Sequence, residues 1–192
     1  YRSMTPDVVT HDGETDIIGS YIRSQSYPWE NSYYYHLFVG NDINQYSGVP
    51  GGVGLTRTFI NVAIPNIGND QKVISADLKL YKKYIYDNEC TSVHVSTTNH
   101  LSNIRSVTWN NQPSSLTRIS TNSFTIGEGY KDFDITKYVQ DYIKNGTKKT
   151  LVLTSADESL ATSGNVFYNA IETPPTQRPK LVITHQDDAD VR

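Results

Sequence analysis

The sequence predicts an all-β sandwich of two antiparallel sheets with one short α-helix at about residues 134–145. Three observations carry this. Short runs alternate apolar with polar side chains, the period of strands with one buried face. Turn-forming clusters separate those runs at the spacing of sandwich folds. A single stretch, DITKYVQDYIKNG, has a helical period instead.

The clearest strand runs from Lys72 to about Tyr84, with Ile74, Ala76, Leu78 and Leu80 on one face and Ser75, Asp77, Lys79 and Lys83 on the other. Upstream, Leu55 to Ile64 sets Phe59 and Ala63 on one side and Ile60, Val62 and Ile64 on the other, the two-sided burial of a central strand. Arg57 falls on the Phe59 face and needs a partner there, because a buried charge is costly unless paired. Shorter strands are expected at Ile17 to Ile22, His36 to Val39, Ser92 to Thr97, Ser123 to Ile126, Thr150 to Thr154, Asn165 to Tyr168 and Lys180 to Thr184. Pro50-Gly51-Gly52, Asn66 to Asn69, Asp87-Asn88 and Pro174-Pro175 supply turns between them. In the helix Ile135, Val139, Tyr142 and Ile143 share a face, Asp134 or Thr136 caps the start, and Asn145-Gly146 ends it. Asn145-Gly146-Thr147 is also a glycosylation sequon, but a glycine at a helix end favours the cap.

At 192 residues the chain fits one domain. We expect a single module over residues 15–185, preceded by residues 1–14 as an extension or first edge strand and followed by residues 186–192 as an acidic linker. The opening Tyr1-Arg2-Ser3-Met4 is no signal peptide and Asp187-Asp188-Ala189-Asp190 has no apolar partners, so the chain reads as a piece of something longer. Seventeen Lys and Arg against twenty Asp and Glu, with the basic residues scattered, argue against nucleic acid as a partner. Cys90 is the one cysteine and leaves the compartment open. No apolar run reaches the roughly 18 residues of a spanning helix, so membrane insertion is not expected. A monomer is expected.

Enzyme signatures are missing from the sequence. It has no G-x-S-x-G, H-E-x-x-H, C-x-x-C or phosphate loop, and Arg57 and Asp132 stand where two G-x-G stretches need a third glycine. The five histidines, at 11, 36, 94, 100 and 185, are dispersed, and His94 alternates with Val93 and Val95 so as to face solvent or a groove. The carboxylate pairs Asp87/Glu89, Asp132/Asp134 and Asp157/Glu158 have turn or capping positions rather than the spacing of a glycosidase cleft. No catalytic residue is assigned. Asn41-Asp42 and Asp157-Glu158 put oxygen ligands in expected loops and are candidates for a structural Ca²⁺, the one cofactor considered.

Residues 27–35, YPWENSYYY, hold four tyrosines and a tryptophan in nine positions, with Pro28 barring regular structure at the start. Aromatic rings stack on the C–H faces of sugars while nearby polar groups meet hydroxyls. Tyr27, Trp29, Glu30, Asn31 and Tyr34 are therefore the candidate ligand-binding residues, with the platform on Trp29, Tyr27 and Tyr34. Tyr33 and Tyr35 are equally read as the start of a strand that packs inward.

Four motifs stand in order: KVISADLKLYKK at 72–83, VTWNNQP at 107–113, FDITKYVQDYIKNG at 133–146 and RPKLVITH at 178–185. In this order they resemble the DNRLRE-type modules, which are grouped with carbohydrate-binding modules and related to disaggregatase-type repeats and to modules of wall-associated proteins. The resemblance covers about residues 15 to 185 and implies a jelly-roll sandwich. It further implies non-catalytic attachment to polysaccharide or cell-wall glycan, at the surface of bacterial or archaeal cells or outside them, beside neighbouring domains of one polypeptide. Because VTWNNQP recurs in modules with different ligands, the resemblance makes Trp109 a fold element whose ring packs in the core, with Pro113 ending the strand. The family's N-x-G appears here as Asn31-Ser32-Tyr33, ahead of Leu37-Phe38-Val39-Gly40, and the loop before Arg57 is longer than usual. These departures keep the family's ligand specificity from carrying over. An adhesive spacer that binds no free sugar is the second reading, and a lyase or hydrolase the third.

Overall fold

The computed structural model describes residues 5–12, 16–25, 27–33, 35–42, 53–83, 89–162, 165–170 and 173–188. Tyr34, the Pro50-Gly51-Gly52 and Asp87-Asn88 turns and the tail from Ala189 lie outside the described residues. The expected all-β sandwich is what the chain forms. Its strands are β1 (Asp7–Asp12), β2 (Ile17–Arg23), β3 (His36–Asp42), β4 (Gly54–Val62), β5 (Gln71–Lys82), β6 (Ser92–Asn99), β7 (Thr117–Ser123), β8 (Gly129–Asp134), β9 (Lys149–Ser155), β10 (Asn165–Tyr168) and β11 (Lys180–Asp187), and α1 spans Thr136–Asn145.

All described pairings are antiparallel. One sheet contains β1, β11, β5, β8 and β10, and the other β2, β4, β9, β6 and β7. Strand β3 belongs to both: His36 to Val39 pair with β10, and Gly40 to Asp42 pair with β4. The sheets are thereby joined along one edge, and the main core fills the space between them with residues such as Leu37, Ile60, Leu78, Val95, Phe133, Leu151 and Phe167. Residues 100–116 form an excursion with a single 3-10 turn at Ile104–Ser106. It roofs the outer face of the second sheet, where Ile22, Phe59, Ile104, Val107 and Val152 make a smaller core. Phe59 lies in this smaller core and Ile60 in the main one, so β4 is buried on both faces as its sequence predicts.

Several expectations need correction. Ile74 does not share the inward face of Ala76. The β5–β11 register slips opposite Val73 and Ser75, making Ile74 the extra residue of a bulge, so Val73 turns in while Ile74 is 43% exposed. The strand expected at Ser123 to Ile126 is instead β7, which ends at Ser123, after which Phe124 packs against the main core. Strand β4 ends at Val62, leaving Ala63 exposed. Strand β11 continues through Asp187, whose carboxylate accepts from Gln71 Nε2 at 2.8 Å.

The helix begins at Thr136, with Asp134 Oδ1 accepting the Thr136 N–H at 2.9 Å. It stops at Gly146, where φ is 70° and the N–H donates to the Tyr142 carbonyl, the glycine cap the sequence predicts. Thr136 caps nothing in the helix; its hydroxyl meets the backbone of Ala76 on β5. Lys82, in phase with Leu78 and Leu80, is enclosed in the core and pairs with the equally buried Glu89.

Candidate functional site

The aromatic segment departs from the sheet after Arg23 and is pinned again at Ser32, which exchanges two backbone hydrogen bonds with Tyr21. Between these points the chain makes a turn over Tyr27-Pro28-Trp29-Glu30, closed by the Glu30 N–H donating to the Tyr27 carbonyl at 3.0 Å. Pro28 holds the position that its fixed φ suits. Tyr27 has φ 71°, the one described non-glycine residue in the left-handed region. That conformation costs about 1–3 kcal/mol and is retained where surroundings enforce it, most often at functional positions.

The turn projects its rings outward. Trp29 is 63% and Tyr27 54% exposed, and they meet edge to face at 5.7 Å. Arg23 supports them from behind: its guanidinium lies 5.5 Å from the centre of the Tyr27 ring and donates to Glu30 at 3.3 Å. The exposed pair with Glu30 is open to solvent, so this ion pair adds little stability by itself. Its contribution is orientation.

Trp109 underlies this turn. Its backbone N–H donates to the Pro28 carbonyl at 3.1 Å. The ring is half-buried against the smaller core, not the main one, and the Arg57 guanidinium stacks on it at 5.0 Å. Arg57 finds the partner its position demands. It donates twice to the Glu158 carboxylate, at 2.7 and 2.9 Å, and once to Gln112 at 2.8 Å.

Beside the turn lies a groove of about 280 Å³ between β2 and the start of β3, lined by Tyr21, Tyr33, Tyr35, His36 and Phe38 with Asn31 and Ser32. Tyr35 is 47% exposed, whereas Tyr33 is covered by the Arg105 guanidinium 4.1 Å from its ring centre. Neither packs into a core as the strand reading of these tyrosines required. Burial holds the His36 imidazole below its ordinary pKa, so the neutral form faces this groove.

The structure brings Tyr27, Trp29 and Glu30 together and gives Asn31 a different position. Its Nδ2 is directed at Ser20 Oγ, the Ile104 carbonyl and the Val107 carbonyl, at 2.9–3.1 Å, and so fastens the roof to the sheet. An amide nitrogen engaged in this way has no donor left for a ligand hydroxyl. Tyr34 lies outside the described residues. Sequence reasoning missed Arg23, Arg105 and Tyr21, and also Asn169, which is buried and donates from Nδ2 to the Gly19 and Tyr33 carbonyls, both at 2.8 Å. The roles of Arg105 and Asn169 depend on contacts between distant segments and have no local signature, whereas Arg23 acts on Tyr27 and Glu30 of its own segment.

Three of the four residues considered for Ca²⁺ have other partners. Asn41 Nδ2 donates to the Glu158 carbonyl at 2.8 Å, although its Oδ1 is buried with no hydrogen-bond partner among the described residues, the Glu158 carboxylate is taken by Arg57, and Asp157 Oδ1 accepts the Ser159 N–H and hydroxyl. Among the described residues no group of three or more His, Cys, Asp or Glu is placed to hold a metal. No helix among the described residues is long and apolar enough to cross a membrane.

A comparison with curated proteins found no match. A comparison with family profiles matched residues 20–185, the span from β2 to β11 that carries both sheets, the roof over Trp109 and the exposed aromatic turn. On that match, the chain belongs to carbohydrate-binding module family 96.

Proposed function

We propose that this chain is a non-catalytic module of the DNRLRE type that holds a larger secreted or surface protein on a polysaccharide or cell-wall glycan, with Tyr27 and Trp29 as its first contact. The observation that carries the reading is the outward Tyr27–Trp29 pair on a strained turn, which is fastened to the smaller core through Trp109. A purely structural turn has no need to hold two large rings in solvent at the cost of a left-handed tyrosine. The negative faces of such rings suit the C–H face of a sugar and disfavour an anionic group. The groove next to the pair adds hydroxyls and the neutral His36 imidazole, donors and acceptors that suit sugar hydroxyls.

Affinity electrophoresis against mixed-linkage β-glucan, xylan, galactomannan, polygalacturonate and alginate tests the reading. Wild type is expected to be retarded by at least one polymer, and Trp29→Ala to run unretarded in that gel. Equal retardation of both proteins would remove Trp29 from the site. No retardation of wild type by any of these polymers would favour the adhesive-spacer reading.

A further inference from the structure

We propose that the ligand surface continues from the groove across the outer face of the first sheet, over His36, Tyr168 and Tyr81, and that it takes internal stretches of an extended polysaccharide chain rather than chain ends. This rests on the glycan-binding reading above.

Strand register builds the surface. His36 on β3 stands directly opposite Tyr168 on β10, and Tyr81 on β5 stands opposite Tyr130 on β8. Phe167 pairs with Lys82, so one antiparallel step away Tyr168 faces Tyr81. Their neighbours Leu37, Phe167, Lys82 and Lys131 are buried, which turns this row to the outer face. Four adjacent strands thus carry an aromatic residue at one level, each half-buried.

Ring geometry leaves part of the row uncovered. Tyr81 and Tyr168 are within 18° of parallel at 6.1 Å, and Tyr168 and His36 within 20° at 5.7 Å. Rings in full face contact sit about 3.5–4 Å apart, so at these separations Tyr81 and Tyr168 do not cover one another completely, and both stay partly exposed. From His36 the row passes to Phe38 at 6.4 Å and to Tyr21 at 4.9 Å, both of which line the groove. The steps are close to the length of one sugar unit along a chain.

The hydroxyls distinguish this row from ordinary sheet packing. Tyr130 donates its hydroxyl to the Thr176 and Arg178 carbonyls and has Lys180 5.1 Å from its ring centre, so it closes the row as part of the fold. The hydroxyls of Tyr81, Tyr168 and Tyr21 have no hydrogen-bond partner among the described residues. Cross-strand aromatic pairs stabilise a sheet with or without a hydroxyl. Three unengaged hydroxyls spaced along a row of partly bare rings match a chain that presents apolar faces and hydroxyls at each repeat.

Calorimetry with size-fractionated oligosaccharides, from disaccharide to octasaccharide, cut from whichever polymer retards wild type most, tests the proposal. Wild-type affinity is expected to rise with length beyond the tetrasaccharide. The double variant Tyr81→Ala/Tyr168→Ala should lose that rise, binding the octasaccharide about tenfold more weakly while binding the disaccharide as wild type does. Trp29→Ala should weaken every length. If the alanine pair does not fold, Tyr81→Phe/Tyr168→Phe keeps the rings and should still cost about threefold with the octasaccharide. A wild-type affinity that is flat with length, or a folded double variant that keeps the full rise, would overturn the extended surface and leave the Trp29 site standing. Failure of wild type to bind any polymer would sink both.

Discussion

The two outer faces of the sandwich carry aromatic residues in opposite circumstances. On the second sheet, residues 100–116 lie over Phe59, Ile22 and Val152, and the side-chain donors at that boundary are engaged within the protein: Asn31 Nδ2 with the Ile104 and Val107 carbonyls, Arg57 with Glu158, Gln112 and the Trp109 ring, while Asn31 Oδ1 is buried without a hydrogen-bond partner among the described residues. On the first sheet, His36, Tyr168 and Tyr81 remain half-exposed, and two of the three present a hydroxyl with no partner among the described residues. Aromatic content alone does not separate a core from a binding face. Whether the surrounding side-chain donors are engaged within the protein does. The two tryptophans repeat this contrast at close range, because Trp109 fastens through Pro28 the turn on which Trp29 stands.

Removing the roof should produce the largest effect. Trp109→Ala deletes a half-buried ring and the stacking partner of Arg57, and is expected to cost about 2–4 kcal/mol, read from the urea midpoint. The backbone N–H at 109 that holds the Pro28 carbonyl survives the substitution, so retardation by polysaccharide should persist in the folded variant. Unchanged stability in this variant would mean the roof is only loosely attached. Asn31→Ala comes next. It strands the Val107 carbonyl at the boundary of the smaller core, while the Ile104 carbonyl keeps the Ser20 hydroxyl and the Val107 N–H, and should cost about 1–2 kcal/mol by the same measurement. Trp29→Ala sharpens the comparison from the other side: a stability change within about 0.5 kcal/mol, with retardation by polysaccharide lost. A large stability loss there would make Trp29 a second fold tryptophan.

Strand β11 was legible from inward apolar residues at period two, and β2, β4 and β9 from apolar side chains that serve a core on each face. Strand β7, TRISTNS, escaped notice since Ile119 is its one apolar residue and its exposed edge needs no more. Strand β8 was hidden by a lysine in an inward place: Lys131 is buried and donates to the Thr125 carbonyl at 2.9 Å, a solution that no local pattern announces. Ile74 was misplaced because a bulge shifts phase without changing composition. The exposed Trp29 turn was readable from Pro28 and the density of rings. The row over Tyr168 was not, because it exists only once four strands from distant parts of the chain are set in register.

The smallest expected effect is a dependence of stability on pH from histidines on the two sheets. Burial lowers the pKa of His36, and burial followed by the charge of Arg118 lowers that of His94, whose Nδ1 lies 2.8 Å from Thr121 Oγ1. Below about pH 6.5 the unfolded chain therefore binds more protons at these positions than the folded one, and stability falls as pH drops, levelling once the folded imidazoles also titrate. Asp77 works in the opposite sense. Burial first, then the charges of Asp132 and Asp134, raise its pKa, so the folded state takes up its proton more readily and gains stability as pH falls through the ordinary carboxylate range. The windows are separate, and urea midpoints between about pH 7.5 and 5.5 isolate the histidine part. His36→Asn should flatten the slope there by its share, and the double variant with His94→Asn should flatten it further. A slope unchanged in the double variant would show that these imidazoles titrate alike in the folded and unfolded chain, and so that His36 stands in water rather than among the rings of Phe38 and Tyr168.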